Sequence, residues 1–214
     1  EVESDLVILE CVTAAQKAAY DEEGFVVLEG LRSDAECDRF VTHMVDLHAG
    51  RERLEGFEPR QPGGANEWGR TNNQHNYARM ALDYLLLPQL RCPLRDCLGD
   101  EAEGIQTMYF WKGSEQRRHQ DQYYLPACMS AWLAFVDVDR DNGTIQVQPG
   151  SHRQRLLTKA DFEAGGPFHG WDYNDAVDEQ FERNRASGLV GEEVPVEVPK
   201  GSVVLFHGVL VHRG

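Results

Sequence analysis

The apolar positions change period once along the chain. Over the first hundred residues they recur at helical spacing, and after that they come in short runs. Residues 13–23 are rich in helix formers, with Thr13 placed to cap their start and Gly24 to end them. Phe25, Val26, Val27 and Leu28 form a short β-prone run. Ser33 and Glu36 have the spacing of a capping box. They open a second helix to about His48, on which Phe40, Val41, Met44, Val45 and Leu47 recur at near-helical spacing. Residues 50–73 carry Gly56, Pro59, Pro62, Gly63 and Gly64 and predict a loop, a candidate lid. A third helix over about 76–87 and a fourth over about 88–98 meet at Pro88.

From Ile105 onward the pattern predicts strands at 105–111, 118–125, 130–138, 144–148, 194–198, 203–206 and 208–212. Turn signals at Asp141, Asn142 and Gly143, at Pro149 and Gly150, and at Pro199 and Gly201 separate several of them. Residues 158–188 are irregular and polar, with one helix near 175–186. Phe168, Trp171 and Tyr173 make this insert a second candidate lid. Helices first and short strands afterwards predict a mainly β protein with a helical buttress. It is read as one domain over 1–214, helical to about 100 and β from about 105. A double-stranded β-helix of jelly-roll or cupin-like form is the expected core.

Candidate chemistry gathers on two of these runs. In a strand, residues two apart face the same way. His119 and Asp121 then project together, with Tyr123 on their face and Gln120 and Tyr124 on the other. An imidazole beside a carboxylate supplies two of the three groups of a facial triad, which holds Fe(II) and leaves positions open for cosubstrate and oxygen. That pair alone is a weak signal, and the third ligand must come from a distant strand. The C-terminal run offers His207 and His212. His212, at the end of an apolar strand, is the preferred ligand, and His207, beside Gly208 at a bend, the rival. His43, His48, His75, His152 and His169 are read as hydrogen-bonded or solvated. His75 stands out among them as a substrate-side candidate, because it closes the polar run after the glycine-rich loop. Tyr123 is a candidate substrate contact, the alternative being an ordinary strand aromatic. Arg117 and Arg118 suit an anionic substrate group, the alternative being a solvated strand edge.

Composition narrows the partners. The chain has 214 residues and a net charge of −15, with no basic stripe, so a nucleic-acid partner is not expected. No apolar run reaches the ~20 residues of a membrane span. A monomer acting on a small molecule is the default. The five cysteines (Cys11, Cys37, Cys92, Cys97 and Cys128) are odd in number and contain no C-x-x-C pair. They predict free thiols in a reducing, cytoplasmic compartment.

Several pieces together resemble the phytanoyl-CoA dioxygenase family. They are His119 to Pro126 (HQDQYYLP), Ala131 to Ala134 (AWLA), Asp141 to Gly143 followed by Pro149 to Arg153 (PGSHR), and Gly201 to Phe206 (GSVVLF) leading to His212. Tyr20 to Val27 (YDEEGFVV) is similar to the opening of that family. The resemblance implies a double-stranded β-helix, Fe(II) held by His119, Asp121 and His212, and 2-oxoglutarate and O2 as cosubstrates. It implies that Met108 and Trp132 contact 2-oxoglutarate. For Met108 plain core packing is the alternative, and Trp132 would share its strand face with Ala134 and Val136. The implied reaction oxidises a small molecule, in the simplest case by hydroxylation, with succinate and CO2 formed. Cyclisation and desaturation are the other outcomes of the same chemistry. With Asp121 present, halogenation is not expected.

Three departures bear on these expectations. The family's arginine for the far carboxylate of 2-oxoglutarate is expected about a dozen residues beyond the distal histidine, past Gly214, and the reading is that the ends are trimmed. Gly214 also stands where a small hydroxyl residue is common, and the interval from His119 to Trp132 is short. Two other classes stay open: a cupin-like metalloenzyme that does not use 2-oxoglutarate, and a non-catalytic jelly-roll binding module.

Overall fold

The computed structural model describes residues 11–57, 70–111 and 116–214. Helix α1 (Ala14–Glu23) starts where Thr13 and Gln16 exchange hydrogen bonds, Thr13 N–H to Gln16 Oε1 at 2.8 Å and Gln16 N–H to Thr13 Oγ1 at 3.2 Å. It stops at Gly24, whose φ of +87° a side chain would oppose. Strand β1 (Phe25–Leu28) follows, then α2 (Asp34–His48) behind the reciprocal cap of Ser33 and Glu36. Strand β2 (Arg70–Asn72) lies within the stretch expected to be loop. It pairs antiparallel with β3 (Met108–Phe110), a partner that its polar sequence does not signal. Of the candidate lid at residues 56–70, positions 58–69 lie outside the described residues. Helices α3 (Arg79–Leu85) and α4 (Arg91–Leu98) are shorter than expected, because 3-10 turns at Gln74–Asn76 and Pro88–Leu90 replace their first residues.

The rest of the β structure is β4 (Met129–Leu133), β5 (Gln146–Val147), β6 (Val194–Pro195), β7 (Val203–His207) and β8 (His212–Arg213), with helix α5 (Tyr173–Ala186) between β5 and β6. Two three-stranded antiparallel sheets result, ordered β1-β7-β4 and β6-β5-β8. Strand β7 is central, and both of its faces are buried. Val204 and Phe206 pack inward with Ala134, Val147, Val196 and Leu210, so both sheets share one core. Val203 and Leu205 pack outward with Tyr20, Leu87 and Leu90 of the helical layer. The helices therefore buttress the outer face of β7.

Four expectations are corrected. The 118–125 run is not a strand. Only His119 pairs, as an isolated bridge to His212, and Asp121–Tyr123 closes into one 3-10 turn. The 208–212 run is a turn over 208–211, and His212 begins β8 rather than ending a strand. The insert at 158–188 is core as much as cover. Phe168, Ala176, Val177 and Phe181 bury against Leu157 and Val211, while Trp171 is about half exposed. Cys11 and Cys92 form a disulfide, with Cα atoms 5.0 Å apart, at a sequence separation of 81. A pair brought together by packing α1 on α4 has no sequence signature, so all five cysteines read as free. Cys37, Cys97 and Cys128 are free thiols. No helix among the described residues is long and apolar enough to cross a membrane.

Candidate metal centre

Three ligand atoms converge between the two sheets. Asp121 Oδ1 lies 3.4 Å from His119 Nε2 and 3.7 Å from His212 Nε2. The group meets within 4.8 Å, close enough for one ion to reach all three. Both histidines are buried. His119 N–H donates to the His212 carbonyl at 2.9 Å, and His212 N–H returns a bond of 3.2 Å. The cross-strand bridge thus sets the rings side by side, centroids 4.2 Å apart. Phe206 closes the far side of His212, with ring centroids 4.7 Å apart.

The backbone also chooses which nitrogen each ring presents. His119 Nδ1 lies 2.9 Å from the Arg117 carbonyl and His212 Nδ1 lies 2.9 Å from the Leu210 carbonyl. A carbonyl accepts only, so each Nδ1 carries the proton and each Nε2 keeps its lone pair for the centre. Burial holds the His212 imidazole down to about 4, with the neighbouring His119 adding to the effect. The ring is neutral at physiological pH, as a ligand must be. For Asp121 burial pushes the pKa up, but the adjacent His119 and His212 rings, once they take a proton in acid, and a 2.6 Å bond from Ser130 Oγ to Oδ2 outweigh it. The carboxyl sits at about 2. Ser130 holds one oxygen and leaves the other for the histidines. These donors fit a divalent iron that keeps further positions for ligands. The Gln116 side-chain amide lies 3.0 Å from His119 Nε2, the nitrogen a metal would take.

Gln120, between two of the ligands, anchors the turn from behind. Its fully buried side chain donates to the carbonyls of Val209 (3.0 Å) and Arg155 (3.2 Å) and accepts from Leu157 N–H (3.0 Å). Its own N–H donates to Tyr173 Oη at 2.9 Å. The ladder stops because Leu210, which would pair with Asp121 next, turns its N–H back to the His207 carbonyl at 2.8 Å, and the chain turns at Asp121.

The remaining expected residues separate into near and far. Trp132 lies two residues beyond Ser130 on β4 and packs into the inner core, on the face that carries the Asp121 contact. Ala134 is buried with it, whereas Val136 lies past the end of β4 and is 53% exposed. Met108 is 45% exposed, which removes core packing as its explanation. His75 Nδ1 bonds Thr107 Oγ1 at 2.9 Å, beside Met108. Tyr123 does not share a face with the ligands. The 3-10 turn stacks it on Tyr173, centroids 3.8 Å apart, and brings Tyr124 edge-on to His119 at 6.4 Å. Arg117 is committed to helix α5, bonding Asp175 at 2.6 Å and Asp178 at 2.9 Å, rather than facing a substrate anion. His207 is no ligand: its Nδ1 accepts from Val209 N–H at 3.0 Å, and its ring lies by His152. Ser130, Gln116 and Tyr124 were not among the expected site residues. Only Ser130 had a signal, its two-residue offset from Trp132.

A β core that presents two imidazoles and one carboxylate to a single point defines the non-haem iron class of centre. The description "Phytanoyl-CoA dioxygenase (PhyH)" matches residues 20–214. The chain belongs to that family, whose members depend on Fe(II) and 2-oxoglutarate and use O2. Peroxisomal phytanoyl-CoA dioxygenase of Homo sapiens is 25% identical over 232 residues, covering 94% of this chain and 63% of that protein. The chain therefore spans less than two thirds of that relative. Among solved structures, the non-heme alpha ketoglutarate dependent carbocyclase SnoK from nogalamycin biosynthesis superposes with a TM-score of 0.69 at 20% identity. It covers 94% of this chain and 76% of that one. EctD from S. alaskensis, with 2-oxoglutarate and 5-hydroxyectoine, gives 0.69 at 23%, covering 94% and 69%.

Proposed function

We propose that the chain is an Fe(II)- and 2-oxoglutarate-dependent oxygenase that hydroxylates a small-molecule substrate, with succinate and CO2 formed from the cosubstrate. The observation that carries this reading is the convergence of His119 Nε2, His212 Nε2 and Asp121 Oδ1. These atoms would hold the iron, which when bound supplies the oxygen activation. The chain's residues do the positioning. The Arg117 and Leu210 carbonyls fix the two tautomers, Ser130 orients the carboxylate, and Phe206 and Trp132 keep water from one side. Trp132 and Met108 are the cosubstrate-side residues of the proposal. His75 and Tyr124 stand on the substrate side, with Tyr123 and Arg117 supporting them through α5. The two three-stranded sheets are read as the walls of a double-stranded β-helix.

The test is spectroscopic. Fe(II) and 2-oxoglutarate added without oxygen are expected to give the weak visible charge-transfer band of a chelate, and admission of oxygen to give succinate. His119→Ala should lose both. Stoichiometric metal binding with neither band nor succinate would instead support a metalloenzyme that does not use 2-oxoglutarate. Absence of metal binding would leave a binding module.

A further inference from the structure

The two segments that carry the histidines are joined by very little backbone. His119 and His212 form an isolated bridge, followed on one side by a single bond from Gly214 N–H to the Gln116 carbonyl at 3.1 Å. Arg118 and Arg213, the residues next to the two histidines in sequence, both reach a single carboxylate. Two guanidinium groups are thereby brought to one place beside the segments that carry the histidines. Like charges held this close repel, and the repulsion pushes the two segments apart.

One carboxylate answers both. Glu193, just before β6, has a side chain only 11% exposed. Arg118 grips it with two bonds, Nε to Oε1 at 2.9 Å and Nη2 to Oε2 at 3.2 Å. Arg213 reaches the same carboxylate, Nε to Oε2 at 3.0 Å, and places Nη2 2.9 Å from Gln146 Oε1 on β5. Arg118 also bonds Asp178 of α5 at 3.0 Å and lies over the Phe181 ring at 3.9 Å. The fork of each guanidinium fixes direction as well as distance.

We infer that Glu193 is a positioning residue for the metal centre: by binding Arg118 and Arg213 together, it sets the separation of the segments that present His119 and His212. This rests on the proposed iron-binding role of those histidines. Glu193 touches no ligand atom. It acts through the two residues that adjoin the ligands in sequence.

The experiment is a titration of the metal-free protein with Co(II) alone, followed by its visible absorption, together with anaerobic Fe(II) affinity and thermal unfolding. Glu193→Gln is expected to weaken Co(II) and Fe(II) binding at least about tenfold, the scale of lost supporting contacts at metal sites. The double variant Glu193→Gln with Arg213→Gln removes one of the opposed cations, and it should recover part of that affinity even where it recovers no thermal stability. That split separates positioning from a general stabilising role, which would move melting temperature and leave the affinity of the folded protein unchanged. If the single variant does not fold, the double variant alone should still bind metal more weakly than the unsubstituted protein. Equal affinity of Glu193→Gln and the unsubstituted protein, or a double variant no better than the single one, overturns the inference while iron binding stands. Failure of the unsubstituted protein to bind Co(II) stoichiometrically, with His119→Ala identical to it, overturns both.

Discussion

At the scale of single residues the centre depends on hydrogen bonds that are individually modest. Ser130 Oγ donates to Asp121 Oδ2 at 2.6 Å and favours the ionised carboxylate. Ser130→Ala removes that donor without touching a ligand, so the Asp121 carboxyl titrates higher and its oxygen is less well aimed. Fe(II) affinity is expected to fall about tenfold, read by metal titration at fixed pH. An unchanged affinity would mean that the histidines alone orient Asp121. The three residues that converge were legible because their chemistry is local: an H-x-D pair, and an apolar run ending in histidine. The face shared by Tyr123 with His119 and Asp121 did not form, because it assumed a strand phase in a segment that pairs at one residue only. The pairing of Arg117 with acidic residues on and before α5 had no local signal, because those three neighbours stand 55 to 61 residues away.

A second residue-scale prediction concerns pH. Burial lowers the pKa of both His207 and His152, with the charges of His207 and Arg153 adding to the effect at His152. Both rings would take their proton at Nδ1. In His207 that atom already accepts Val209 N–H, and in His152 it is buried with no partner. Each folded-state pKa lies below the ordinary value of 6.5, so below that pH the unfolded chain binds more protons. Their contribution to stability is complete above about 6.5 and is lost as pH falls through the lower folded values. Melting temperature should drop between pH 7 and 5. His207→Asn, which keeps an acceptor for Val209 N–H but does not titrate, should flatten the slope. An equal slope in the variant would remove His207 from the account.

Among the elements, those defined by local signals came out as read. Thr13 with Gln16 and Ser33 with Glu36 cap α1 and α2, and the apolar run at 203–206 is the central strand β7. Elements defined by distant partners did not. The 118–125 strand does not form because Leu210, the next partner of Asp121 and 89 residues on, is held in a turn to His207, and β2 exists only through β3. The turn before β7 shows how narrow such junctions are. Gly201 has φ +82°, accepts from Arg32 N–H at 3.0 Å, and a Cβ there would collide with the Arg32 carbonyl. Gly201→Ala therefore combines backbone strain with a steric clash against main chain. It is expected to destabilise by about 2–4 kcal/mol, measured by denaturant unfolding. A loss under 0.5 kcal/mol would show that the turn shifts freely and that β7 is not fixed from this end.

For the whole molecule, the arrangement separates a stability layer from a chemical one. The helices pack on the outer face of β7 through Tyr20, Leu87, Leu90, Val203 and Leu205. The inner face carries Phe206, whose ring touches His212. The Cys11–Cys92 disulfide ties the start of α1 to α4 in the outer layer, across 81 residues of sequence. Closing a loop of that size restricts the unfolded chain by about 4 kcal/mol on the chain-entropy account. In a protein of this length that corresponds to roughly 10 °C in melting temperature. Cys11→Ser and Cys92→Ser should each show that loss, as should reduction of the unsubstituted protein, and the two variants combined should lose no more than either alone. Metal affinity at 25 °C should stay within about twofold, because neither cysteine belongs to the face that meets the ligands. If affinity fell in step with melting temperature, the helical layer would be setting the separation of the segments at the centre, and the work assigned to Glu193 would have to be shared with it.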